Sequence, residues 1–238
     1  MSLYVYCLSD EVEEGAVSGA LGVAGGDPCL ISCGGIKAVV SAFDGERIAV
    51  TRDNVLAHEG VIRRVLAQTT PLPFRFGTLV TADRLREYVD SQRGHLEALL
   101  ARVRGAVEMG VKIIWDVEAV KNAAARAATP PAQVDETPGP GRAFLLARQR
   151  ELAGGEARKA QAEEIAAWLE RHLGDAVRET AVTVRPAESL VVSAAHLVER
   201  AKLEMYRERL ERARKERADL YFLTSGAWPP YSFTTLRS

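Results

Sequence analysis

The residues of this chain with the greatest capacity for chemistry are its four histidines, and His58 is the one followed directly by a carboxylate. The pair His58-Glu59 resembles the zinc-binding helix of some metalloproteases, in which a second histidine follows four residues after the first. Ile62 stands at that position, so a zinc site would lack a ligand. His58 shares helical spacing with Ile62 and Val65, and the sequence therefore favours a histidine that is satisfied inside the core.

The remaining reactive groups form no catalytic or cofactor-binding pattern. Cys7, Cys29 and Cys33 lie in apolar contexts without a neighbouring pair of Cys or His, which favours buried thiols over metal ligands. The glycines between 15 and 26 lack both the G-x-G-x-x-G spacing and a following Lys-Ser or Lys-Thr, and no G-x-S-x-G motif occurs. We therefore predict no enzyme activity, no catalytic residue, no metal and no cofactor.

The charge and hydropathy of the sequence indicate which classes of partner to expect. The 238 residues include 31 basic and 32 acidic side chains, for a formal net charge of -1, which argues against nucleic acid as the main partner. No apolar run approaches the ~20 residues needed to cross a bilayer, so a lipid membrane is not an expected partner. The N-terminus lacks the basic start and long apolar stretch of a signal peptide. We expect a cytoplasmic protein.

Residues 1–109 are predicted to form an N-terminal α+β domain. Period-2 patterns predict strands at 3–8, on both sides of the turn signal Gly34-Gly35, and over "FRFGTLV" (74–80), with Phe74 and Phe76 on one face. Period-3.6 patterns predict a helix over 54–68, with Asn54 as its N-cap, and one long helix over 85–103. The glycine-rich stretch "GAVSGALGVAGGDP" is predicted to be a mobile loop.

Residues 110–225 are predicted to form a second α+β domain. Strands are expected at 111–118, 180–185, 189–197 and 219–225, and helices at 142–173 and 199–217. This order, strand–helix–strand–strand–helix–strand, is the split βαβ arrangement of a ferredoxin-like domain, with two helices on one face of an antiparallel sheet. The proline-rich stretch 123–141 is predicted to be a loop.

The C-terminal segment 226–238 contains "GAWPPYSF", with three aromatic residues and two prolines in a chain that is only 6% aromatic. Prolines lack the N–H that a central strand needs, so the chain is predicted to leave the sheet after Ser225 as an extended arm. Three aromatic rings left in water would form an exposed apolar patch, so we expect another part of the protein or a partner to bury them. The arm either staples the two domains together or binds a partner, and the sequence leaves both readings open.

Two of these segments carry a resemblance. The stretches "LPFRFGT" (72–78) and "GAWPPYSF" (226–233) look like the two hallmark motifs of the gas vesicle protein L/F family, GvpL/GvpF. Other stretches agree in order and spacing: "YVYCL", His58, "GVKIIWDVE", "GRAFLLARQRE" and "VVSAAHLVER". The resemblance runs from about residue 2 to residue 233.

The resemblance implies an accessory or minor structural role in assembling gas vesicles, the gas-filled buoyancy compartments of some prokaryotes. It implies contacts with the small hydrophobic wall protein and with other vesicle proteins, and location in the cytoplasm and at the vesicle. The candidate interaction residues are those of the two motifs: Phe74, Arg75, Phe76, Gly77, Trp228, Pro229, Pro230, Tyr231 and Phe233. Arg75 could bind an anion, but an exposed or salt-bridged side chain is favoured. The alternative function is a ferredoxin-like small-molecule-binding domain or an enzyme of unknown substrate.

Overall fold

The computed structural model describes residues 2–115, 156, 159–183, 190–234 and 236. Within these residues the protein has nine strands in two sheets and five α-helices, which confirms the predicted α+β class. Several predicted features lie wholly or partly outside the described residues, namely the proline-rich segment 123–141, most of the first half of helix 142–173, and parts of the strands at 111–118, 180–185 and 189–197.

The chain divides into two compact units. The N-terminal unit consists of Met1–Met109, Leu197–Arg200 and Gly226–Ser238, and the C-terminal unit consists of Gly110–His196 and Ala201–Ser225. The C-terminal tail therefore groups with the N-terminal residues and not with the domain that precedes it in sequence.

The sheet of the N-terminal unit is built around one strand. Its elements are β1 (Ser2–Ser9), β2 (Cys29–Cys33), β3 (Ile36–Phe43), β4 (Leu72–Pro73) and β5 (Leu79–Val80), with helices α1 (Arg52–Gln68), α2 (Ala82–Ser91) and α3 (Arg93–Val103). The strand order is β2-β3-β1-β4, and β5 also pairs with β1. All of these pairings are antiparallel. Strand β1 has neighbours on both edges, and its residues from Leu3 to Ser9 are all buried.

Helices cover both faces of β1. Tyr4 and Tyr6 point to one face and join a core cluster with Val61, Ile62 and Val65 of α1. Val5 points to the other face, where it lines a cavity together with residues of α2. Side chains on the two faces of β1 thus contribute to two apolar layers of the unit.

The segment "FRFGTLV" is not a continuous strand, so that prediction is wrong. Gly77 has φ +91°, a left-handed conformation that glycine adopts without strain, and the chain turns there. The Thr78 hydroxyl donates to the Arg75 carbonyl at 2.8 Å and closes the turn. The chain bonds to β1 on both sides of the turn, as β4 and the Phe74 N–H before it and as the Thr78 carbonyl and β5 after it.

Three other local predictions also differ from the structure. Thr51, not Asn54, is the N-cap of α1, because its side chain accepts the Asn54 N–H at 3.2 Å. The predicted helix 85–103 is two helices, because Gln92 leaves the helical region with φ −108° and ψ 10°. The glycine-rich segment forms two 3₁₀ turns and is anchored in the core by apolar side chains, Val17 and Val23 among them.

The C-terminal unit contains most of the second sheet. Its elements are β6 (Ala106–Trp115), β7 (Glu179–Thr183), β8 (Leu190–Glu199) and β9 (Leu220–Trp228), with helices α4 (159–173) and α5 (Leu203–Glu216). The strand order is β7-β8-β6-β9. The ring of Trp168 on α4 lies 6.4 Å from that of Phe222 on β9, and Glu216 on α5 bonds His172 on α4 at 2.7 Å. The two helices are therefore neighbours on the Phe222 face of the sheet.

Strand β9 continues to Trp228, so the predicted exit from the sheet after Ser225 is wrong. Gly226 makes the continuation possible: its φ is +122°, and a Cβ there would lie 2.7 Å from the Glu108 carbonyl oxygen. The two prolines end the strand three residues later than predicted, where the missing N–H takes effect.

We predict that Gly226→Ala lowers the free energy of unfolding by roughly 2–4 kcal/mol, because the added Cβ combines a strained φ with overlap against backbone. The matched control is Gly60→Ala in the middle of α1, where a Cβ meets nothing within 4 Å. That change should stabilise by roughly 0.5–1 kcal/mol through helix propensity. Urea unfolding of both variants measures the difference, and equal effects would contradict the close backbone approach at Gly226.

Candidate functional site

His58 lies at the centre of the N-terminal unit. Helix α1 turns it toward the sheet, where only 2% of its surface is exposed. Tyr4 of β1 approaches from the opposite side, with its hydroxyl 2.8 Å from His58 Nδ1. The structure thus places His58 in the core with a hydrogen-bond partner, the arrangement that the sequence favours over a metal ligand.

Burial sets the charge of His58. Loss of solvent lowers its pKa to about 4, and a backbone hydrogen bond involving Phe74 only partly opposes this shift. The imidazole is therefore neutral at pH 7. A neutral ring carries one N–H, so one nitrogen donates a hydrogen bond and the other accepts one.

A chain of hydrogen bonds passes through both nitrogens of His58. The Gly77 N–H donates to the Tyr4 hydroxyl at 3.3 Å, and the Tyr4 hydroxyl faces Nδ1. On the other side of the ring the Tyr231 hydroxyl lies 3.5 Å from Nε2 and donates to Glu59 Oε1 at 3.1 Å. When Tyr4 donates to Nδ1, the N–H at Nε2 is available to the Tyr231 hydroxyl and to the Phe74 backbone.

Aromatic rings enclose the imidazole. Tyr6 stacks on it, with ring centroids 5.8 Å apart and an interplanar angle of 24°. Tyr4 and Phe76 meet it edge-on, each with a centroid distance of 5.7 Å. We call Tyr4, Tyr6, His58, Phe76 and Tyr231 the His58 cluster. Edge and stacked contacts of this kind add to the burial of apolar area and fix the orientation of each ring.

The hydroxyl of Tyr6 anchors the glycine-rich segment on this cluster. It accepts the Val23 N–H at 2.9 Å and bonds the Ser41 hydroxyl at 3.0 Å. Gly22 lies so close that a Cβ there would be 2.4 Å from the Tyr6 hydroxyl oxygen. The glycine at 22 therefore serves close packing over a buried tyrosine and does not form a phosphate-binding loop.

The residues of the first motif, "LPFRFGT", lie in different parts of the N-terminal unit. Phe76 and Gly77 belong to the surroundings of His58, as described above. Phe74 is buried on the other side of the sheet, where its ring lies 6.2 Å from that of Tyr88, so the prediction that Phe74 and Phe76 share one face is wrong. Arg75 is exposed at the turn. The motif therefore contributes to both apolar layers of the unit and presents one charge to solvent.

The second motif folds back as a compact turn. Pro229 and Pro230 are buried, and the N–H groups of Tyr231 and Phe233 bond to the carbonyls of these prolines at 2.8 and 3.1 Å. The Thr234 hydroxyl adds a third bond, to the Pro230 carbonyl at 2.7 Å. The turn directs Tyr231 toward His58 and buries Phe233 to 6% exposure.

Side chains of the N-terminal unit hold this turn from outside. Glu108 accepts the backbone N–H of Ser232 at 2.7 Å and its hydroxyl at 2.8 Å, and Arg102 donates to the Phe233 carbonyl at 3.3 Å. The guanidinium of Arg63 lies 5.4 Å from the centre of the Trp228 ring. Charge-assisted bonds and a cation–π contact therefore fasten both ends of "GAWPPYSF".

Sequence reasoning identified His58 and the motif residues but missed their partners. Tyr4 and Tyr6 carried a usable signal, since residues at spacing two in a regular strand share one face. The sequence contained no signal for Glu59, Glu108 and Ser232. Each of them bonds a residue that is distant in the chain, and a sequence pattern does not specify such partners.

The C-terminal unit repeats the pairing of a buried histidine with a tyrosine. His196 on β8 is 1% exposed, and its Nδ1 lies 2.9 Å from the Tyr206 hydroxyl on α5. Burial lowers the pKa of His196 to about 4, so this ring is also neutral at pH 7. The histidine on the apolar strand thus faces inward and is satisfied by a helix neighbour.

An apolar cavity of the N-terminal unit lies beside the first motif. Its volume is about 480 Å³, and its walls include Val5, Phe74, Leu79, Leu85 and Tyr88. Its two charged residues, Arg84 and Glu87, are exposed and 3.4 Å from each other.

Within the part of the chain that the structure describes, no cluster of three or more His, Cys, Asp or Glu side chains is arranged to hold a metal ion. No helix of the described ranges is long and apolar enough to cross a membrane.

Comparison with known proteins gives consistent matches over the whole chain. The family model described as "Gas vesicle synthesis protein GvpL/GvpF" matches residues 2–235. "Gas vesicle protein L" of Streptomyces sp. (strain CB03234) is 27% identical over 253 residues, which cover 97% of this chain and 91% of that protein.

Two solved structures have the same fold. GvpF from Anabaena sp. PCC7120 superposes with a TM-score of 0.78 at 20% identity, over 100% of this chain and 97% of the other. GvpF from Microcystis aeruginosa superposes with a TM-score of 0.80 at 20% identity, over 99% of both chains. At this identity the likeness shows the fold alone.

We predict that Tyr231→Phe destabilises the protein by about 1–2 kcal/mol, because it removes the hydroxyl that donates to Glu59 and lies 3.5 Å from His58 Nε2. Tyr221→Phe is the matched control, since Tyr221 is 63% exposed. It should change stability by less than about 0.5 kcal/mol. Denaturant unfolding compares the two variants, and an equal loss in both would remove the support for a stabilising role of the Tyr231 hydroxyl.

We also predict that stability falls as the pH is lowered from 7 to 5. His58 and His196 have folded pKa values of about 4, below the usual value of 6.5, so the unfolded chain binds more protons in this range. Each histidine should contribute a loss of about 2 kcal/mol by pH 5. In His196→Gln the loss between pH 7 and pH 5 should be about half that of the original protein. An unchanged pH dependence would mean that His196 does not titrate on unfolding.

Proposed function

Because the chain belongs to the GvpL/GvpF family, whose members act in gas vesicle formation, we propose that it is a non-enzymatic accessory or minor structural protein of the vesicle. It binds the small hydrophobic wall protein and other vesicle proteins in the cytoplasm and at the vesicle. The observation that carries this proposal is the family match across residues 2–235. The family is one of gas vesicle proteins and is not a known enzyme family.

We infer that the C-terminal unit is ferredoxin-like. The spatial order β7-β8-β6-β9 corresponds to chain positions 2-3-1-4, and α4 and α5 lie before β7 and β9 in sequence. This is the connectivity expected of a split βαβ arrangement. The alternative function, a small-molecule-binding domain or enzyme, predicts a cleft with convergent polar groups. The apolar walls of the 480 Å³ cavity, whose two charged residues pair with each other, give little support to it.

The two motifs have a divided role in this proposal. Tyr231, Phe233 and Phe76 are committed to contacts inside the N-terminal unit, which supports a structural role for most of the aromatic residues. Arg75 and Gly77 are exposed at the turn between β4 and β5. We assign the partner-binding part of the motifs to this turn, because its shape is fixed from below by the His58 cluster while its surface remains available.

The test is capture of the wall protein by the tagged full chain after co-expression with the other vesicle proteins. Arg75→Glu should reduce capture at least fivefold and leave the melting temperature unchanged, because an exposed charge contributes to binding and not to packing. Arg47→Glu is the matched control, since Arg47 is also exposed in the N-terminal unit and lies outside both motifs. It should leave capture unchanged.

The outcomes separate the parts of the proposal. Failure of the original chain to capture the wall protein would contradict the binding function itself. If Arg75→Glu captures as much wall protein as the original chain, the binding function stands and the turn is rejected as the binding surface. Equal losses in Arg75→Glu and Arg47→Glu would indicate a general electrostatic attraction without a specific surface.

A further inference from the structure

Strand β9 is the longest edge strand of the described residues. It lies at one end of the order β7-β8-β6-β9 and runs for nine residues, Leu220–Trp228. At the other edges, β2 and β7 have five residues each, and β4 and β5 have two each. An edge strand exposes backbone N–H and C=O groups that another strand can bind, and the number of such groups grows with its length.

The residues of β9 themselves lack the charges and prolines that usually protect an edge, and the one charged side chain seen to bond it among the described residues is Arg214 of α5, which reaches the Phe222 carbonyl and the Thr224 hydroxyl. The stretch "LYFLTSGAW" contains no charged residue and no proline. By contrast, the β4–β5 edge is interrupted by a turn and has prolines at 71 and 73. The Phe222 carbonyl accepts a bond from Arg214 Nη2 at 3.2 Å, but a carbonyl has a second lone pair and remains able to accept from a neighbouring strand.

One face of β9 is apolar and exposed. Tyr221 is 63% exposed and Leu223 is 56% exposed, whereas Leu220 and Phe222 point to the other face, where Phe222 meets Trp168 of α4. Large apolar side chains on an unprotected edge favour association with a second apolar strand. The strand that pairs with this edge should therefore be uncharged and should carry apolar side chains on the same face.

Strand β9 itself meets this requirement. In an antiparallel pairing of two β9 strands about a two-fold axis at Leu223, Leu223 stands opposite its own copy and Tyr221 stands opposite Ser225. No charges of β9 itself meet, because the strand has none, and the Arg214 guanidinium at Phe222 and Thr224 can swing away on its flexible side chain. Side chains directly opposite in such a ladder have Cβ atoms about 4.5–5.5 Å apart, close enough for the two leucines to contact. A two-fold axis makes each off-axis contact occur twice, while the Leu223–Leu223 contact on the axis occurs once.

We propose that this chain self-associates through β9, with the β9 strands of two copies pairing antiparallel about Leu223 and joining two four-stranded sheets into one of eight strands. The contact involves one strand from each copy, so the interface is small and the dimer is weak, with a dissociation constant on the order of 10–100 μM. The proposal does not depend on binding to the wall protein.

Analytical ultracentrifugation of the full chain from about 1 to 500 μM tests the proposal. The original chain should change from monomer to dimer over this range. Leu223→Lys and Leu223→Glu, each alone, should raise the dissociation constant at least tenfold, because like charges meet at the axis. An equimolar mixture of these two variants should recover dimer, because opposite charges then face each other.

The matched control is Val182→Lys, on the opposite edge strand β7, where Val182 is 42% exposed. It removes a similar apolar surface and should leave the dissociation constant unchanged. Thermal unfolding checks that all variants are folded. The proposal is overturned if the original chain stays monomeric at about 500 μM, or if Leu223→Lys and Leu223→Glu each dimerise as the original does. It is equally overturned if the mixture of these two variants fails to recover dimer, or if Val182→Lys weakens the dimer as much as they do.

Discussion

The N-terminal unit depends on the hydrogen bonding of one buried neutral imidazole. His58 is almost without solvent, so each of its nitrogens must meet a polar group inside the protein. Tyr4 meets one of them and Tyr231 the other, and these tyrosines lie near opposite ends of the chain. Strand β1, helix α1 and the C-terminal tail therefore have to reach one point together. Misplacing β1 or α1 would leave a buried polar atom unpaired, at a cost of about 1–3 kcal/mol. Misplacing the tail would remove the contacts of the Tyr231 hydroxyl with His58 and Glu59.

This constraint explains why the two motif segments are so stiff. Gly77 takes a left-handed conformation that brings its N–H to Tyr4, and the prolines at 229 and 230 hold the turn that presents Tyr231. The prolines reduce the conformational freedom that is lost on folding, whereas Gly77 raises that loss but adopts its left-handed φ without strain. The motifs are thus better understood as two sides of one buried cluster than as two separate binding elements, and the exposed Arg75 turn is the part of them left for a partner in our proposal.

The C-terminal unit has a similar buried histidine–tyrosine pair in its interior but an exposed apolar strand at its edge. Its interior uses the same pairing of neutral histidine with tyrosine, between His196 and Tyr206. Its edge, however, leaves Tyr221 and Leu223 in solvent on a strand without charges. A protein that works in an assembly can keep such an edge because a strand partner covers it. Self-pairing of β9 offers one such cover and would let a single chain present a wider sheet than it can build alone.

Much of this protein was determined by the sequence itself. The periods of 2 and 3.6 indicated the α+β class and the approximate positions of its helices and strands, and two short motifs indicated the family. These features depend on residues close together in the chain, which is why they could be recognised without a structure. The lone histidine with Ile62 in place of a second ligand was also correctly interpreted as a core residue.

Only the tertiary structure decided how distant segments meet. It broke "FRFGTLV" into a turn at Gly77, carried β9 on to Trp228, and placed the glycine-rich segment over Tyr6. It also joined Tyr231 to Glu59 and Ser232 to Glu108 over long stretches of the chain. Local pattern specifies which face of an element is apolar but not which other element covers it. That choice belongs to packing and to the satisfaction of buried polar groups, which act between residues far apart in sequence.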